Sequence, residues 1–117
     1  MILVGDLNIT RNPERDASGY KGSNNKANAK NIETIMVQRN LVDLGLKSDG
    51  TLPLMTFHRK TKANKTIFSR LDYVLSSYGL SNLLKEFKTL PCYISDHHPI
   101  FLTFFQPTVP YKSFWKL

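Results

Sequence analysis

One ten-residue stretch in the middle of the chain organises the predicted sheet: Thr66-Ile67-Phe68-Ser69-Arg70-Leu71-Asp72-Tyr73-Val74-Leu75. Its residues alternate with the two-residue period of a β-strand, which places Ile67, Leu71, Tyr73 and Leu75 on one face and Phe68, Arg70, Asp72 and Val74 on the other. A carboxylate on a mostly apolar strand is costly when it is buried without a partner. Arg70, on the same face, is the nearest candidate partner of Asp72. Asp72 could therefore form a structural ion pair with Arg70, or it could be a functional carboxylate.

A second alternating segment, Met55 to Arg59, precedes this stretch and predicts a β-hairpin with it. The connection between the two segments is basic: no acidic residue lies between Asp49 and Asp72, and the interval contains Arg59, Lys60, Lys62, Lys65 and Arg70. The whole chain has 16 Lys and Arg against 9 Asp and Glu, a net charge of +7. A basic surface favours nucleic acid or acidic membranes as partners, although an ordinary solvated hairpin face gives the same pattern.

The remaining segments predict a mixed α/β chain. We expect a buried strand at Ile2–Val4, followed by a polar loop over 12–28. An amphipathic helix is expected over 29–40, with Ile32, Ile35, Met36 and Arg39 on one side, and an apolar segment continues over 41–46 with Gly45 at a helix end or bend. The last part of the chain is expected to contain a short helix within 76–84 and two strands, over 87–94 and 100–105.

The composition limits the classes of protein to which this chain can belong. With 117 residues and 41% apolar residues, the chain has enough material for one small domain or for a piece of a larger one. The single cysteine, Cys92, excludes an internal disulfide and argues against a zinc site built from cysteines. The sequence contains neither an apolar run of about 20 residues nor a signal peptide. We therefore expect an intracellular protein, nuclear or cytoplasmic, with no membrane partner.

Three polar groups lie in or at the ends of predicted strands. They are Gly5-Asp6-Leu7-Asn8, Asp72, and Ser95-Asp96-His97-His98-Pro99. A carboxylate beside an imidazole sets the tautomer of the ring and stabilises its protonated form. Phosphodiester hydrolysis requires such a pair, together with a group that aligns water and a donor to the phosphate oxygens. We therefore expect Asp6, Asp72 and the Asp96–His97 pair to converge at one rim of a sheet.

The order and spacing of four motifs resemble the second half of an endonuclease/exonuclease/phosphatase domain. The motifs are residues 5–8, Thr56-Phe57, residues 69–75 and residues 95–99. The resemblance is closest to the apurinic-endonuclease-like nuclease of LINE-type (non-LTR) retrotransposons. It implies part of a two-sheet, DNase I-like α/β sandwich over residues 1–105, followed by an exit linker over 106–117 that leads towards a reverse transcriptase domain.

The resemblance also implies a role for each matching residue. Asp6 would align the attacking water, Asn8 would contact the scissile phosphate, and His97 would be the imidazole at the phosphate. Asp72 would orient His97, and Asp96 would lie beside the metal or phosphate as a metal ligand. Thr56, Ser69 and Arg70 would lie near the DNA backbone or support the site. Apart from the resemblance, we expect Arg59 of the basic hairpin to bind substrate phosphates. His98 occupies a variable position of the motif, for which we expect a supporting role.

The same resemblance implies a Mg²⁺-dependent DNA endonuclease of which this chain supplies only part. The family's first half carries an asparagine and a glutamate that bind Mg²⁺, and neither Glu14 nor Glu33 matches that position. We therefore expect the chain to be inactive or feeble alone, with uncovered sheet edges. Two alternatives remain open: a non-catalytic nucleic-acid-binding remnant, and a lipid phosphodiesterase of the same superfamily.

Overall fold

The computed structural model describes residues 1–21 and 25–106, and over these ranges the chain forms three small antiparallel sheets with few helices, an α+β arrangement. In chain order the elements are β1 (Ile2–Asp6), α1 (Pro13–Asp16), β2 (Ala17–Ser18), α2 (Lys26–Arg39), β3 (Leu41–Asp43), β4 (Phe57–Lys60), β5 (Thr66–Ser69), β6 (Asp72–Ser77), α3 (Tyr78–Ser81), β7 (Leu84–Thr89) and β8 (Ile100–Phe104). Apart from residue 106, the predicted exit linker lies outside the described residues.

The stretch from Thr66 to Leu75 forms two strands, so the prediction of one continuous strand was wrong. β5 and β6 belong to different sheets, and Arg70 and Leu71 carry the chain from one sheet to the other. Strict alternation fails at this crossing, because the neighbouring residues Ser69, Arg70 and Leu71 are all buried. The change of sheet turns Arg70 inward, although the strand period had placed it on the face of the exposed Phe68.

β6 is the central strand of the first sheet, whose order is β1-β6-β3. Both neighbours are antiparallel to it, and the β1 register pairs Gly5 with Tyr73 and Asp6 with Asp72. Consecutive residues Tyr73, Val74 and Leu75 have at most 2% of their surface exposed, which means that both faces of β6 are covered. The register brings the end of β1 and the start of β6 to the same rim.

The second sheet has the order β2-β5-β4 and contains the predicted hairpin. β4 and β5 are antiparallel, with Phe57 opposite Ser69 and Lys60 opposite Thr66. The connection closes through a hydrogen bond from the Thr61 amide to the Lys65 carbonyl, 2.8 Å long. The basic residues near the tip are solvent-exposed: Arg59, Lys60, Lys62 and Lys65.

The third sheet pairs β7 with β8. β7 begins earlier than predicted and ends at Thr89, so residues 90–99 form a loop and the expected strand up to Ile94 was wrong in this part. The Leu90 amide donates to the Pro99 carbonyl at 2.9 Å and closes the base of the loop. This loop carries the Ser95–Pro99 motif.

α2 is longer at its start than the predicted helix. The Asn25 side chain caps the first turn by accepting from the Asn28 amide, and Asn40 ends the helix in the left-handed conformation, with φ of 54°. The segment after Asn40 is strand β3, so Gly45 does not end the helix. Within the described ranges, no helix combines the length and apolar character needed to cross a membrane.

The polar segment after β1 is more ordered than predicted. Part of the expected loop over 12–28 forms α1 and β2, and α2 occupies its last residues. The Asn12 side chain accepts from the Glu14 and Arg15 amides and caps α1. Pro13 follows as the first helical residue, where a missing N–H has no cost.

The apolar core lies between α2 and the first sheet. Its buried members are Leu41, Tyr73 and Leu75, against which Leu7, Ile32 and Met36 pack. The apolar stripe of the helix was predicted to include Ile35, but Ile35 is 41% exposed. The inward face of α2 is therefore narrower than the sequence pattern indicated.

A cluster of buried ions supports the crossing between the first two sheets. The Arg70 guanidinium donates to Asp16 through Nε at 2.9 Å, and to both carboxylate oxygens of Asp43 at 3.0 and 2.9 Å. Burial raises the pKa of Asp16, but hydrogen bonds from Arg15 and the charge of Arg70 outweigh it and leave that pKa below its usual value. Pairing of the opposite charges offsets the cost of burying each ion.

Gly45 makes room for this cluster. A Cβ at position 45 would lie 2.8 Å from Nη1 of Arg70 and 3.3 Å from Oδ1 of Asp43. Both atoms are held by the ion pair that they share, so a side chain would displace the guanidinium. Gly45 therefore permits a close approach to the arginine. It lies in a turn directly after β3, which agrees with the predicted bend and not with the predicted helix end.

β1 is an edge strand of the first sheet. The described residues leave its outer side unpaired, and Ile2, Leu3 and Val4 are 45%, 42% and 61% exposed. Exposed apolar residues on an unpaired edge favour association with another strand. The strand predicted at Ile2–Val4 is present, but the expectation that it is buried was wrong. Its exposure agrees instead with the expectation of an uncovered sheet edge.

Candidate active site

Two carboxylates face each other where β1 ends and β6 begins. Asp6 and Asp72 are directly opposite in the antiparallel register, a position in which side chains of adjacent strands lie about 5 Å apart. Like charges in this arrangement repel each other unless a cation or a proton lies between them. The local sheet geometry therefore creates a site that favours positive charge.

His97 supplies the group that meets both carboxylates. Its Nδ1 lies 2.8 Å from Oδ2 of Asp72, and its Nε2 lies 3.7 Å from Oδ2 of Asp6. A carboxylate can only accept, so Nδ1 carries the proton of the shorter contact. Nε2 is consequently the atom that is free to hold or release a proton at the rim.

The electrostatics favour the imidazolium form. The hydrogen bond to Asp72 raises the pKa of His97 above its usual value of 6.5, and the charges of Asp72, Asp6 and Asp96 add to it, while burial opposes the shift. The His97 side chain is 34% exposed and Asp72 is 19% exposed. The pair is therefore accessible from solvent, with Asp72 on its inner side.

Backbone hydrogen bonds attach the loop that carries His97 to β4. The His58 amide donates to the Asp96 carbonyl at 2.9 Å, and the His98 amide donates to the Thr56 carbonyl at 2.7 Å. The ring of Phe57 meets the edge of the His97 ring, with centroids 5.1 Å apart. These contacts fix the backbone on both sides of His97 and limit the positions that its ring can take.

Thr56 connects this loop to β5 and to the start of β6. It is fully buried, and its hydroxyl oxygen accepts from the amides of Leu71 and Asp72, each at 3.1 Å. Its own amide donates to the Ser69 carbonyl at 3.0 Å. Thr56 thus positions the start of β6, where Asp72 lies, as well as the residue that follows His97.

Of the residues predicted to bind substrate or support the site, only Arg59 is exposed. Thr56, Ser69 and Arg70 have 0%, 1% and 2% of their surface exposed, so they support the fold and do not face a ligand. Ser69 shares a hydrogen bond with the Tyr20 hydroxyl. Arg70 pairs with Asp16 and Asp43, which also removes it as the candidate partner of Asp72.

Asn8 and Asp96 lie beside the central group. The Asn8 amide donates to Oδ1 of Asp6 at 2.8 Å, in a turn where Asn8 has a φ of 50°. This bond orients the Asp6 carboxylate and leaves the exposed Asn8 side chain at the rim. Asp96 is also exposed, and the ligand group formed by the described residues consists of Asp6, Asp72 and His97, without Asp96.

Sequence reasoning missed two neighbours of the site. Phe57 was part of a recognised motif but received no role, and His58 was read only as a strand residue. The ring of His58 shares a hydrogen bond with His98, with Nδ1 and Nε2 2.7 Å apart. The supporting role expected for His98 is consistent with this contact, which no spacing in the sequence indicates because 40 positions separate the two residues.

The donor set is compatible with a divalent cation. One ligand atom from each of Asp6, Asp72 and His97 can be chosen so that all lie within 4.8 Å of one another. Carboxylate oxygens are the protein ligands that Mg²⁺ prefers, and it commonly keeps several waters beside one or two of them. Each carboxylate accepts one hydrogen bond, Asp72 from His97 and Asp6 from the Asn8 amide. Protonated His97 has no lone pair to offer a metal, so such an ion would be held by the two carboxylates.

An NMR titration of the histidines tests these electrostatics. We expect the pKa of His97 to lie above 6.5 and to fall when Asp72 is replaced by asparagine, because the amide carries no charge. Since the folded pKa is raised, the stability that the pair contributes is complete below the unfolded pKa and is lost as pH rises through the folded pKa. Glu14→Gln, an exposed change outside the site, is the control. An unchanged His97 pKa in Asp72→Asn would contradict this account.

A scan against models of protein families found no match. Any functional conclusion therefore depends on the geometry of the site and on the sequence motifs.

Proposed function

We propose that this chain contributes the phosphate-facing half of a metal-dependent phosphodiesterase that nicks DNA, of the endonuclease/exonuclease/phosphatase type. The observation that carries the proposal is the contact of His97 with two carboxylates, Asp72 at Nδ1 and Asp6 near Nε2. An imidazole held in one tautomer by a carboxylate is suited to proton transfer and to stabilising charge on a phosphate. The resemblance to LINE-type retrotransposon nucleases suggests DNA as the substrate and a reverse transcriptase domain as a neighbour.

Each residue at the rim has a distinct part in this proposal. Asp6, oriented by the Asn8 amide, aligns the water that attacks phosphorus. Protonated His97 donates from Nε2 to a phosphate oxygen, while Asp72 keeps the opposite nitrogen protonated. Asn8 presents its side-chain amide to the same phosphate. Bound Mg²⁺ would neutralise charge on the phosphate oxygens and so lower the barrier to attack.

The basic hairpin supports a polyanionic substrate. Arg59 and Lys60 are exposed on β4, and Lys62 and Lys65 are exposed on its connection to β5. β4 is the strand to which the His97 loop is attached. Cations placed beside a phosphate-binding site attract the nucleic-acid backbone and make affinity fall with salt. The same residues favour a second candidate function, nucleic-acid binding without catalysis.

A plasmid-nicking assay separates the two functions. We expect the 117-residue chain alone to give little or no nicking with Mg²⁺, and the chain joined to the first half of a nuclease of this family to nick supercoiled plasmid. The physical reason is the missing glutamate ligand that the resemblance implies. EDTA is the control for metal dependence. Robust nicking by the chain alone would refute the need for the missing half. If the joined protein binds DNA but never nicks it, the binding function is favoured.

A further inference from the structure

Two large apolar side chains immediately before the motif that carries His97 are exposed to solvent. Tyr93 and Ile94 are 97% and 98% exposed, more than any other large apolar residue in the described ranges. Single exposed apolar residues are common on protein surfaces. Two consecutive ones at the rim of a candidate active site indicate a binding surface.

The loop that presents these residues is fastened at several points. The Leu90 amide bonds to the Pro99 carbonyl at its base, and the Asp96 carbonyl accepts from β4. The Ser95 hydroxyl accepts from the His97 amide at 3.1 Å. These bonds anchor the loop on both sides of Tyr93 and Ile94 and keep the two residues within a few positions of His97 along the chain.

An open groove of about 680 Å³ separates the loop from the basic hairpin. Its hairpin wall includes Arg59, Lys60 and Thr66, and its loop wall is formed by residues 93–96. The hairpin wall thus offers cations. The loop wall offers an aromatic ring and a branched aliphatic side chain at Tyr93 and Ile94, with the Asp96 carboxylate at the end nearer His97. Nucleic acid has the matching chemistry, because its phosphates bind cations and its bases stack on aromatic rings.

We infer that Tyr93 and Ile94 form a nucleobase-binding subsite that holds an unstacked base next to the phosphate at His97. Arg59 and Lys60 bind the backbone of the same strand across the groove. This inference rests on the proposed function, because the position of the phosphate at His97 selects nucleic acid over other anionic partners. Any base can stack on an aromatic ring, so the subsite favours a strand with an unstacked base and has little preference for one base over another.

Fluorescence anisotropy with a labelled single-stranded oligonucleotide tests the subsite on the chain itself. We expect Tyr93→Ala to weaken binding about tenfold, the loss typical of one stacked base. The slope of log Kd against log salt should stay unchanged, because tyrosine releases no counterions. Arg59→Gln should instead lower that slope by about 0.7, as for one lost phosphate contact. Tyr78→Ala, a change at a tyrosine that is 66% exposed in α3, is the matched control and should bind normally.

A nucleotide without a base completes the test. With an abasic residue placed at successive positions, one position should weaken wild-type binding, and Tyr93→Ala should add no further loss on that strand. Thermal unfolding by circular dichroism checks that the exposed substitution leaves the fold intact. Equal binding by wild type and Tyr93→Ala, with Arg59→Gln still weakened, overturns the subsite and leaves the proposed function standing. Binding to vesicles of anionic lipid with none to DNA overturns both.

Discussion

Replacing Arg70 with methionine is expected to lower the free energy of unfolding by about 3 kcal/mol, the lower end of the usual cost of breaking a buried ion pair from one side. The substitution removes one of two arginine partners from each carboxylate: Asp16, at 0% side-chain exposure, keeps Arg15, and Asp43, at 2%, keeps Arg11. Small domains are stable by about 5–15 kcal/mol, so the variant loses a large share of its stability. Urea unfolding followed by circular dichroism measures the effect.

Two further variants define the cause of that loss. Arg59→Met removes the same charge from an exposed position and should change stability by no more than about 0.5 kcal/mol. Arg70→Lys keeps the charge but cannot reproduce the two-pronged contact with Asp43, so it should also destabilise the chain. If Arg70→Met unfolds at the same urea concentration as wild type, the buried cluster does not support the fold.

Replacing His97 with glutamine is expected to reduce nicking by the joined protein at least about a hundredfold, the lower range for loss of a general acid or base. Glutamine can still form a hydrogen bond to Asp72, but it cannot hold or release a proton at neutral pH. The measurement is the initial rate of conversion of supercoiled to open-circular plasmid with Mg²⁺ present. DNA affinity measured in parallel shows whether binding or the chemical step is lost.

The neighbouring histidine is the matched control for this experiment. His98 contacts His58 and is not part of the group formed by Asp6, Asp72 and His97, so His98→Gln should retain most of the nicking rate. Asp72→Asn should retain some activity with a lower pH at half-maximal rate, because it removes the charge that raises the pKa of His97. A His97→Gln protein that nicks within threefold of wild type would show that His97 is not catalytic.

The sequence predicts a strand or helix well where the spacing of apolar residues agrees with the residues at its ends. The hairpin of β4 and β5 and the central part of α2 follow directly from alternation and helical spacing. The approach of Asp6, Asp72 and His97 follows from motif order, because strand pairing brings residues of distant sequence to one rim. Their catalytic roles remain predictions.

Long-range partners were not accessible from the sequence. The partners of Arg70 lie 54 and 27 positions away, and no local pattern links them. The strand period failed at Arg70 because the chain changes sheet there, which reverses the direction of the side chain. Similarly, the contact between His58 and His98 depends on how the loop folds back onto β4.

Thr56 has a consequence for how this molecule can move. Its amide, hydroxyl and carbonyl each engage a different segment: β5, the start of β6, and the histidine loop. A single residue thus couples a surface loop to the interior, and the loop cannot open by itself without breaking a bond to that residue. Movement of the loop that would carry His97 away from Asp72 therefore works against a threonine that both sheets hold in place.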